Sequence, residues 1–433
     1  MHITFLSPLL SALLVAATAD DPPAPAPAPA AAPASEQPDA PPPAREAPPP
    51  PPPLPVAPAL PEAPPAPAAA APPPAATPLA GYKDGFFLQS ADSAFKLKLR
   101  GLVQVRGTAT VPADVPADTA LTAAIQRAQL DFGGNAFTKQ LTFLVKTELG
   151  QGFTFVKDAW VNYALLPGAL EVRVGQWKRP FSRQQLVGDG KQAFTDRAIT
   201  DGAFASGRDI GLALHNDIDK SPGLEWSVGA FAGAKEKPEL SAKVIPGADG
   251  VLALDGAKIS NVPAMVRPTF VGRVGANFGA VKGYSELDDE GGAPRGAVAL
   301  SVLEAVELAA AQGGRSQVEV DGVLKLYGAD ATAAIYLGTA QTGAGTFEQA
   351  PDALGLHAQA GYLMLDAWHP SLRYALVSKL DGTSEHHEIA AALAWLVHGQ
   401  NLQWQVEGAA LVERAADGVH TDARLRTQLV FAF

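Results

Sequence analysis

Residues Phe95–Gly107 read FKLKLRGLVQVRG. Phe95, Leu97, Leu99, Gly101, Val103 and Val105 alternate with Lys96, Lys98, Arg100, Leu102, Gln104 and Arg106. A strand sends successive side chains to opposite faces, so this stretch has one apolar and one largely basic face. A helix, turning once per 3.6 residues, would scatter the four cations around its circumference. The stretch is also about ten residues long, the length of a tilted strand that crosses a bilayer.

The same alternation recurs on both sides. In LTFLVKTEL, Leu141, Phe143, Val145 and Leu149 oppose Thr142, Lys146 and Glu148. In ALEVRVGQW, Leu170, Val172 and Val174 oppose Glu171 and Arg173. The chain ends RLRTQLVFAF, with Leu425, Thr427, Leu429, Phe431 and Phe433 on one face. Short Gly/Asp/Pro turns and a few longer loops separate these stretches. No segment after Gly81 offers the 18 or so consecutive apolar residues of a membrane-crossing helix. In lipid every backbone polar group must be paired internally, so strands span only as a closed barrel. The roughly 350 residues after Ala80 suffice for about 16 strands. The predicted fold is therefore all-β, a transmembrane antiparallel barrel over residues 81–433. The stretch from Lys235 to Pro268 is predicted as an extracellular loop, with room for an extra strand pair.

What precedes the barrel differs in kind. Of the 39 prolines, 26 fall between Pro22 and Pro78. Proline fixes φ and lacks the N–H, so residues 20–80 are predicted as a disordered, extended Pro/Ala spacer. Residues 1–19 are predicted as a signal peptide: Ile3–Ala17 is apolar but too short to span, and Ala17-Thr18-Ala19 has the small-x-small pattern of a cleavage site. The n-region departs from the usual pattern, with His2 and no Lys or Arg. An exported barrel belongs in the outer membrane of a Gram-negative cell. The spacer is either a passive linker or an arm that contacts peptidoglycan and anchors the barrel as a structural element.

Composition removes other classes. There is no Cys, hence no disulfide framework and no thiolate metal site. The net charge of −11 divides into −5 before Gly81, +3 over Gly81–Lys220 and −9 over Ser221–Phe433. Nucleic-acid binding calls for a basic domain or a dense basic face, and neither is present. The eight His are scattered, and no G-x-S-x-G or H-E-x-x-H motif occurs, so no catalytic residue, metal or cofactor is expected. The one His pair, in Glu385–Glu388 (EHHE), is predicted in a solvated hairpin turn, because neighbouring His on one strand face opposite ways. The GAGT near Gly343 lacks the strand-then-helix context of a phosphate loop. Trp160, Tyr163, Trp177, Trp226, Tyr362, Trp368 and Trp395 are candidates for interfacial girdles.

The middle of the chain resembles a known family. VRVGQWKRPFSRQQL, Val172–Leu186, is similar to the signature of the phosphate-selective porin O and P family, R-V-G-Q-F-K followed by P-F-S. Trp177 stands where Phe is usual. FTDRAITDGAFASGRDIGLAL resembles the family's F-x-E-R, A-F and G-R-x-x-G block, through Phe194, Arg197, Ala203, Phe204, Gly207, Arg208 and Gly211. Asp196 replaces the usual Glu. FTFVKDAWVNY is similar to the K-D-A-Y-V strand through Lys157, Asp158 and Ala159. The aromatic C-terminus likewise resembles the last strand of bacterial outer-membrane proteins. The resemblance implies a homotrimer of 16-stranded barrels, each with an aqueous pore for small inorganic anions or polar solutes.

The basic residues decide what such a pore would prefer. Lys or Arg facing lipid at the bilayer midplane costs roughly 2–4 kcal/mol, so cations on a strand are expected to face the lumen or lie near a rim. Lys96, Lys98, Arg100 and Arg106 on the opening strand, with Arg127, Lys146 and Arg173, are the candidate pore-lining, anion-binding residues. Lys178, Arg179 and Arg183 join them from the following loop, which could fold inward as a constriction. Rings of basic side chains select anions. The alternative is a neutralised lumen, with Asp131, Glu148, Asp158 and Glu171 facing the cations across the pore.

Overall fold

A computed structural model of the chain describes residues 79–433 except 113–117, 153, 205–206, 235–238, 247–251, 263–265, 307–313 and 341–351. The expected signal peptide, nearly all of the Pro/Ala segment and the GAGT stretch lie outside the described residues.

The strands are β1 (Ala80–Tyr82), β2 (Phe86–Gln89), β3 (Lys96–Pro112), β4 (Ala120–Asn135), β5 (Leu141–Glu148), β6 (Phe155–Leu166), β7 (Leu170–Lys178), β8 (Arg208–His215), β9 (Leu224–Phe231), β10 (Glu239–Pro246) and β11 (Leu252–Ser260). They continue as β12 (Thr269–Phe278), β13 (Arg295–Ala305), β14 (Arg315–Leu326), β15 (Ala329–Ala340), β16 (Ala353–Tyr362), β17 (Trp368–Lys379), β18 (Ser384–Gln400), β19 (Leu402–Ala415) and β20 (Gly418–Ala432). Two short helices, α1 (Arg183–Leu186) and α2 (Ile199–Phe204), lie between β7 and β8.

Sixteen of these strands, β3 to β9 and β12 to β20, form one closed antiparallel barrel. Closure is made by β20 on β3, from Asp422↔Pro112 to Ala432↔Leu102, and by the paired bonds between Gly101 and Phe433, 3.0 Å each way. Beyond the C-terminus β2 takes over the edge of β3, from Phe86↔Leu99 to Gln89↔Lys96, and β1 folds back on it. The stretch 235–268 contains the hairpin β10–β11, which stands outside the barrel sheet.

Alternation sets the wall, and burial shows it inverted relative to a water-soluble sheet. On β14 the inward residues are Arg315, Gln317, Glu319, Asp321, Val323 and Lys325, all buried. Val320 and Leu324, between them, are exposed. On β3 Val103 and Val105 are exposed, while Gln104 and Arg106 are buried. Apolar side chains on the outside and polar ones within are stable only if the outside is hydrocarbon. No helix among the described residues is long and apolar enough to cross a membrane, so strands make the crossing.

The two ends of the barrel differ. At the end holding the C-terminus, connections are mostly short, such as Tyr327–Gly328 between β14 and β15. This is the periplasmic end by the usual rule. Exposed Tyr163, Tyr362, Trp368 and Trp395 cluster there, and the two Trp rings stack at 5.7 Å. Trp226 alternates with buried Glu225 and Ser227 and so faces outward. Trp160 and Trp177 do not join the girdle: Trp177 is buried inside against Phe231, and Trp160 packs on the same cluster under the Arg173 guanidinium. Both lie where a segment covers the inner wall, so lipid is not their only apolar surroundings. The EHHE stretch also departs from expectation. The turn is residues 380–383, and Glu385–Glu388 begins β18 with Glu388 fully buried in the lumen.

Candidate functional site

The connection between β7 and β8, described over residues 179–204 and at 207, folds into the lumen on three aromatic anchors. Phe181, Phe194 and Phe204 are all but completely buried. Phe204 stacks on Tyr336 at 5.1 Å between ring centroids and lies over Gly355. A Cβ on Gly355 would come within 2.4 Å of the Phe204 ring, so glycine there makes the seat. Phe194 packs against Ala390, Ala392, Ala394 and Leu396 on the inner face of β18. That strand is apolar on both faces, as expected when both are covered. Fully burying a Phe contributes roughly 1.5–3 kcal/mol, so the three anchors fix the loop path.

Charge completes the attachment. Arg183 Nε donates to Asp321 Oδ1 at 2.9 Å. Arg273 links Glu225 (3.0 Å), Ser301 (2.9 Å) and Asp321 (2.6 Å) and also donates to the loop carbonyl of Phe181. Arg373 donates to Glu388 and to the Asp196 carbonyl, both at 2.9 Å, and lies 4.1 Å over the Phe194 ring. Glu407 accepts from the Thr195 N–H (3.0 Å) and hydroxyl (2.7 Å). Arg424 bridges Glu388 and Glu407 at 3.1 and 3.2 Å.

The loop carries two carboxylates into this basic surround. Asp189 faces Arg127 (3.4 Å), Lys157 (3.3 Å) and Arg197 (3.1 Å). Asp196 faces Arg106 (2.9 Å), Arg127 (3.6 Å) and Arg426 (3.9 Å). Burial alone would raise both carboxyls. The surrounding cations outweigh it and hold both below the ordinary carboxylate range, Asp189 well below.

A second segment enters from the periplasmic end. The β12–β13 connection, residues 279–294, buries Val281, Tyr284 and Leu287. Glu286 ties it to the loop: its N–H donates to the Lys191 carbonyl (3.1 Å), and its carboxylate accepts from the Ala193 N–H (2.8 Å) and Gln184 (3.3 Å). Asp288 pairs with Arg295 and accepts from the Gly328 N–H, while its own N–H donates to Asp330. Leu287 joins Phe194 on the inner face of β18. Beside this segment is a cavity of about 640 Å³ lined by Lys191, Lys282, Asp289, Arg295, Lys325 and Gln400, among others.

Of the ten cations expected to line a pore, Arg106, Arg127 and Lys178 meet the loop from the wall, and Arg183 reaches from the loop to Asp321 on the wall. Lys178 is the last residue of β7 rather than a loop residue, and its Nζ donates to the Val187 carbonyl at 2.9 Å. Arg179 pairs with Asp209 (3.3 Å) and Arg173 with Asp219 (2.8 Å). Lys96, Lys98 and Arg100 lie toward the periplasmic rim, on the part of β3 that pairs with β2 and with the end of β4. Lys96 stands 4.7 Å over the Phe87 ring, and Arg100 and Lys146 both face Asp131, at 3.4 and 3.2 Å. Acids do compensate cations: besides Asp131, Glu148 pairs with Lys157 and Asp158 with Arg208. Glu171 instead accepts from Asn162 at 2.7 Å. In RLRTQLVFAF, Arg424 and Arg426 fall on the face opposite Leu425, Thr427, Leu429, Phe431 and Phe433, and that alternation is the signal that turns them inward. Arg273 and Arg373 carried the same signal more weakly, in isolated strands.

A closed 16-stranded barrel, apolar outside, charged within and narrowed by an inward loop, defines an outer-membrane porin. The family model described as phosphate-selective porin O and P matches residues 111–406, more than half of the sequence, and the chain belongs to that family. Among solved structures, the chain is similar in fold to an anion-selective porin from Comamonas acidovorans. The two are 14% identical with a TM-score of 0.51, covering 78% of this chain and 99% of the other. It is similar as well to the outer-membrane channel DcaP of Acinetobacter baumannii, at 13% identity and a TM-score of 0.51, covering 78% and 97%. None of the curated proteins matches.

Proposed function

We propose that the protein is a passive porin for small hydrophilic solutes that favours anions, phosphate among them. One observation carries this reading. Arg373, Arg426, Arg106 and Arg127, from β17, β20, β3 and β4, converge on Asp196 of the loop at the narrowing, and Arg424 stands behind them on Glu388 and Glu407. Guanidinium groups clasp oxyanions with paired donors, and rings of them exclude cations. The name of the Comamonas acidovorans porin, anion-selective, fits the same preference. The barrel domain, 81–433, acts as a homotrimer in outer-membrane lipid, and the Pro/Ala segment is a periplasmic spacer.

The test is the reversal potential of single channels in a KCl gradient, repeated with inorganic phosphate. An anion-biased potential with phosphate block of the chloride current is expected. A cation-biased potential would reject the anion preference, and purified protein that gives no channels would reject the porin itself.

A further inference from the structure

The two histidines of EHHE stand on opposite sides of the wall. His386 shares the inward face of β18 with Glu388 and lies 3.9 Å from Glu413, whereas Glu385 and His387 fall on the outward face. There Tyr374 of β17 meets His387 Nδ1 at 3.0 Å. His387 Nε2 stands 3.4 Å from the Glu385 carboxylate, and Arg414 of β19 stands 3.7 Å from it. Three adjacent strands thus gather an arginine, an imidazole, a carboxylate and a phenol on a face that otherwise exposes Ile389, Leu393 and Val406.

The strands fix the depth of this cluster. From Trp395 the outward residues of β18 run Leu393, Ala391, Ile389, His387 and Glu385. From Trp404 those of β19 run Val406, Gly408, Ala410, Val412 and Arg414. Trp395 pairs with Trp404, and Glu385 with Arg414. The path from Trp395 to Glu385, at about 3.3 Å per residue and a tilt of about 40°, rises about 25 Å. That is the height of a barrel's apolar band. The two Trp therefore mark its periplasmic edge, and Glu385 and Arg414 its extracellular edge, where the outer leaflet places its headgroups.

These groups are not used up on one another. The Arg414 side chain is 60% exposed and its ion pair with Glu385 is loose, a pairing that stabilises little by itself. His387 Nε2 is buried without a hydrogen-bond partner. A guanidinium group clasps phosphate with paired donors. The carboxylate beside it would repel a bare phosphate ion, but it accepts hydrogen bonds from hydroxyls. We propose that Arg414, His387 and Glu385 form a site on the outer wall for the phosphorylated sugar headgroup of an outer-leaflet glycolipid. Arg414 takes the phosphate, Glu385 and the imidazole take sugar hydroxyls, and the acyl chains descend over Ile389, Ala391 and Leu393. The site faces lipid, so it depends on the barrel's place in the outer membrane and not on what the pore conducts.

The experiment titrates the full-length protein in detergent with bisphosphorylated lipid A and reads bound lipid by native mass spectrometry. Lipid A stripped of its phosphates and phosphatidylethanolamine are titrated alongside. The variants are Arg414→Ala, Arg414→Gln, His387→Ala and His386→Ala, the last on the same strand but facing the lumen. Heat-modifiable migration confirms that each is a folded barrel, and Arg414→Gln keeps a long polar side chain if Arg414→Ala does not fold. The half-saturating lipid A concentration is expected to rise about tenfold in both Arg414 variants and about threefold in His387→Ala. It should stay within about twofold of wild type in His386→Ala. The dephosphorylated lipid should bind wild type as weakly as lipid A binds Arg414→Ala. Equal lipid A binding by wild type and the Arg414 variants would overturn the site, and so would an equal loss in His386→Ala. Phosphatidylethanolamine bound as tightly as lipid A would overturn the glycolipid assignment. Single-channel conductance and reversal potential should be the same in Arg414→Ala as in wild type, and a changed reversal potential would place Arg414 in the ion path instead.

Discussion

Two segments enter this barrel, both on buried apolar anchors, and they differ in the charge they carry into it. The loop 179–207 comes from the extracellular end with charge on every side: Asp189 and Asp196 amid cations, and Arg183 against Asp321. The segment 279–294 comes from the periplasmic end and is held by its apolar tip, by backbone donors and by one ion pair, Asp288 with Arg295. Leu287 is fully buried, the Lys325 ammonium caps its carbonyl at 2.5 Å, and Asp288 and Asp330 take up main-chain N–H groups. Glu286 joins the two segments. The difference suggests a division of labour, with the loop setting which ions are accepted and the turn setting how much of the lumen is left.

The strongest way to break that division is to remove one partner. Replacing Lys282–Gly291 by a two-residue turn, the length that joins β14 to β15, should leave sixteen paired strands intact. Single-channel conductance is then expected to rise at least about twofold, because charged pore walls conduct in proportion to open water-filled section. The anion preference should be retained, because the arginines stay. Unchanged conductance would place the segment outside the ion path, and a lost preference would show that selectivity belongs to both segments.

The sequence showed the two segments unequally. The loop begins in the stretch Val172–Leu186, whose basic and aromatic residues mark both a constriction and a family. The turn lay in VKGYSELDDEGGAP, whose acids and glycines look like any solvated loop. A sign of both existed far away, in EIAAALAWLV. There Ala390, Ala392, Ala394 and Leu396 put apolar groups where a lumen wall should be polar, which means the wall is covered. The barrel itself was legible because lipid enforces alternation at every crossing. Partners across the lumen were not: Arg106 and Asp196 are ninety residues apart, and no local pattern records that they meet.

Smaller changes sharpen the comparison. Phe204→Ala should loosen the loop alone. Truncating a buried Phe costs about 3–5 kcal/mol, and the ring fills a seat that Gly338 and Gly355 leave open. The expected outcome is a lower heat-modifiability temperature and faster flickering of the current, with the turn still protected from hydrogen exchange around Leu287. Exchange that rises equally in both segments would show that they unfold together. Glu286→Ala should do less, about 1–3 kcal/mol, the penalty for leaving the buried Ala193 N–H without its acceptor. Hydrogen exchange at Ala193 is expected to speed up while protection at Asp288, tied to Asp330, persists. If both open, the turn depends on the loop rather than on its own wall contacts.

The smallest expected effect is a null one, and it separates the two modes of attachment by acid. The Asp189 and Asp196 carboxyls are held below their ordinary range because their cations outweigh the cost of burial. A carboxyl lowered on folding contributes stability that is fully present above its unfolded value, about 3.9. That contribution is lost only as pH falls through the lower folded value. Conductance and flickering are therefore expected to stay level from pH 8 to pH 5, and the loop should loosen only in stronger acid, below about pH 4. The apolar hold of Leu287 on β18 carries no proton and should survive that treatment. Hydrogen exchange followed down the pH scale should thus free the 189–197 stretch first. Loosening already at pH 6 would mean that groups other than these two carboxylates hold the loop, and that the charge-held and apolar-held segments are not distinct after all.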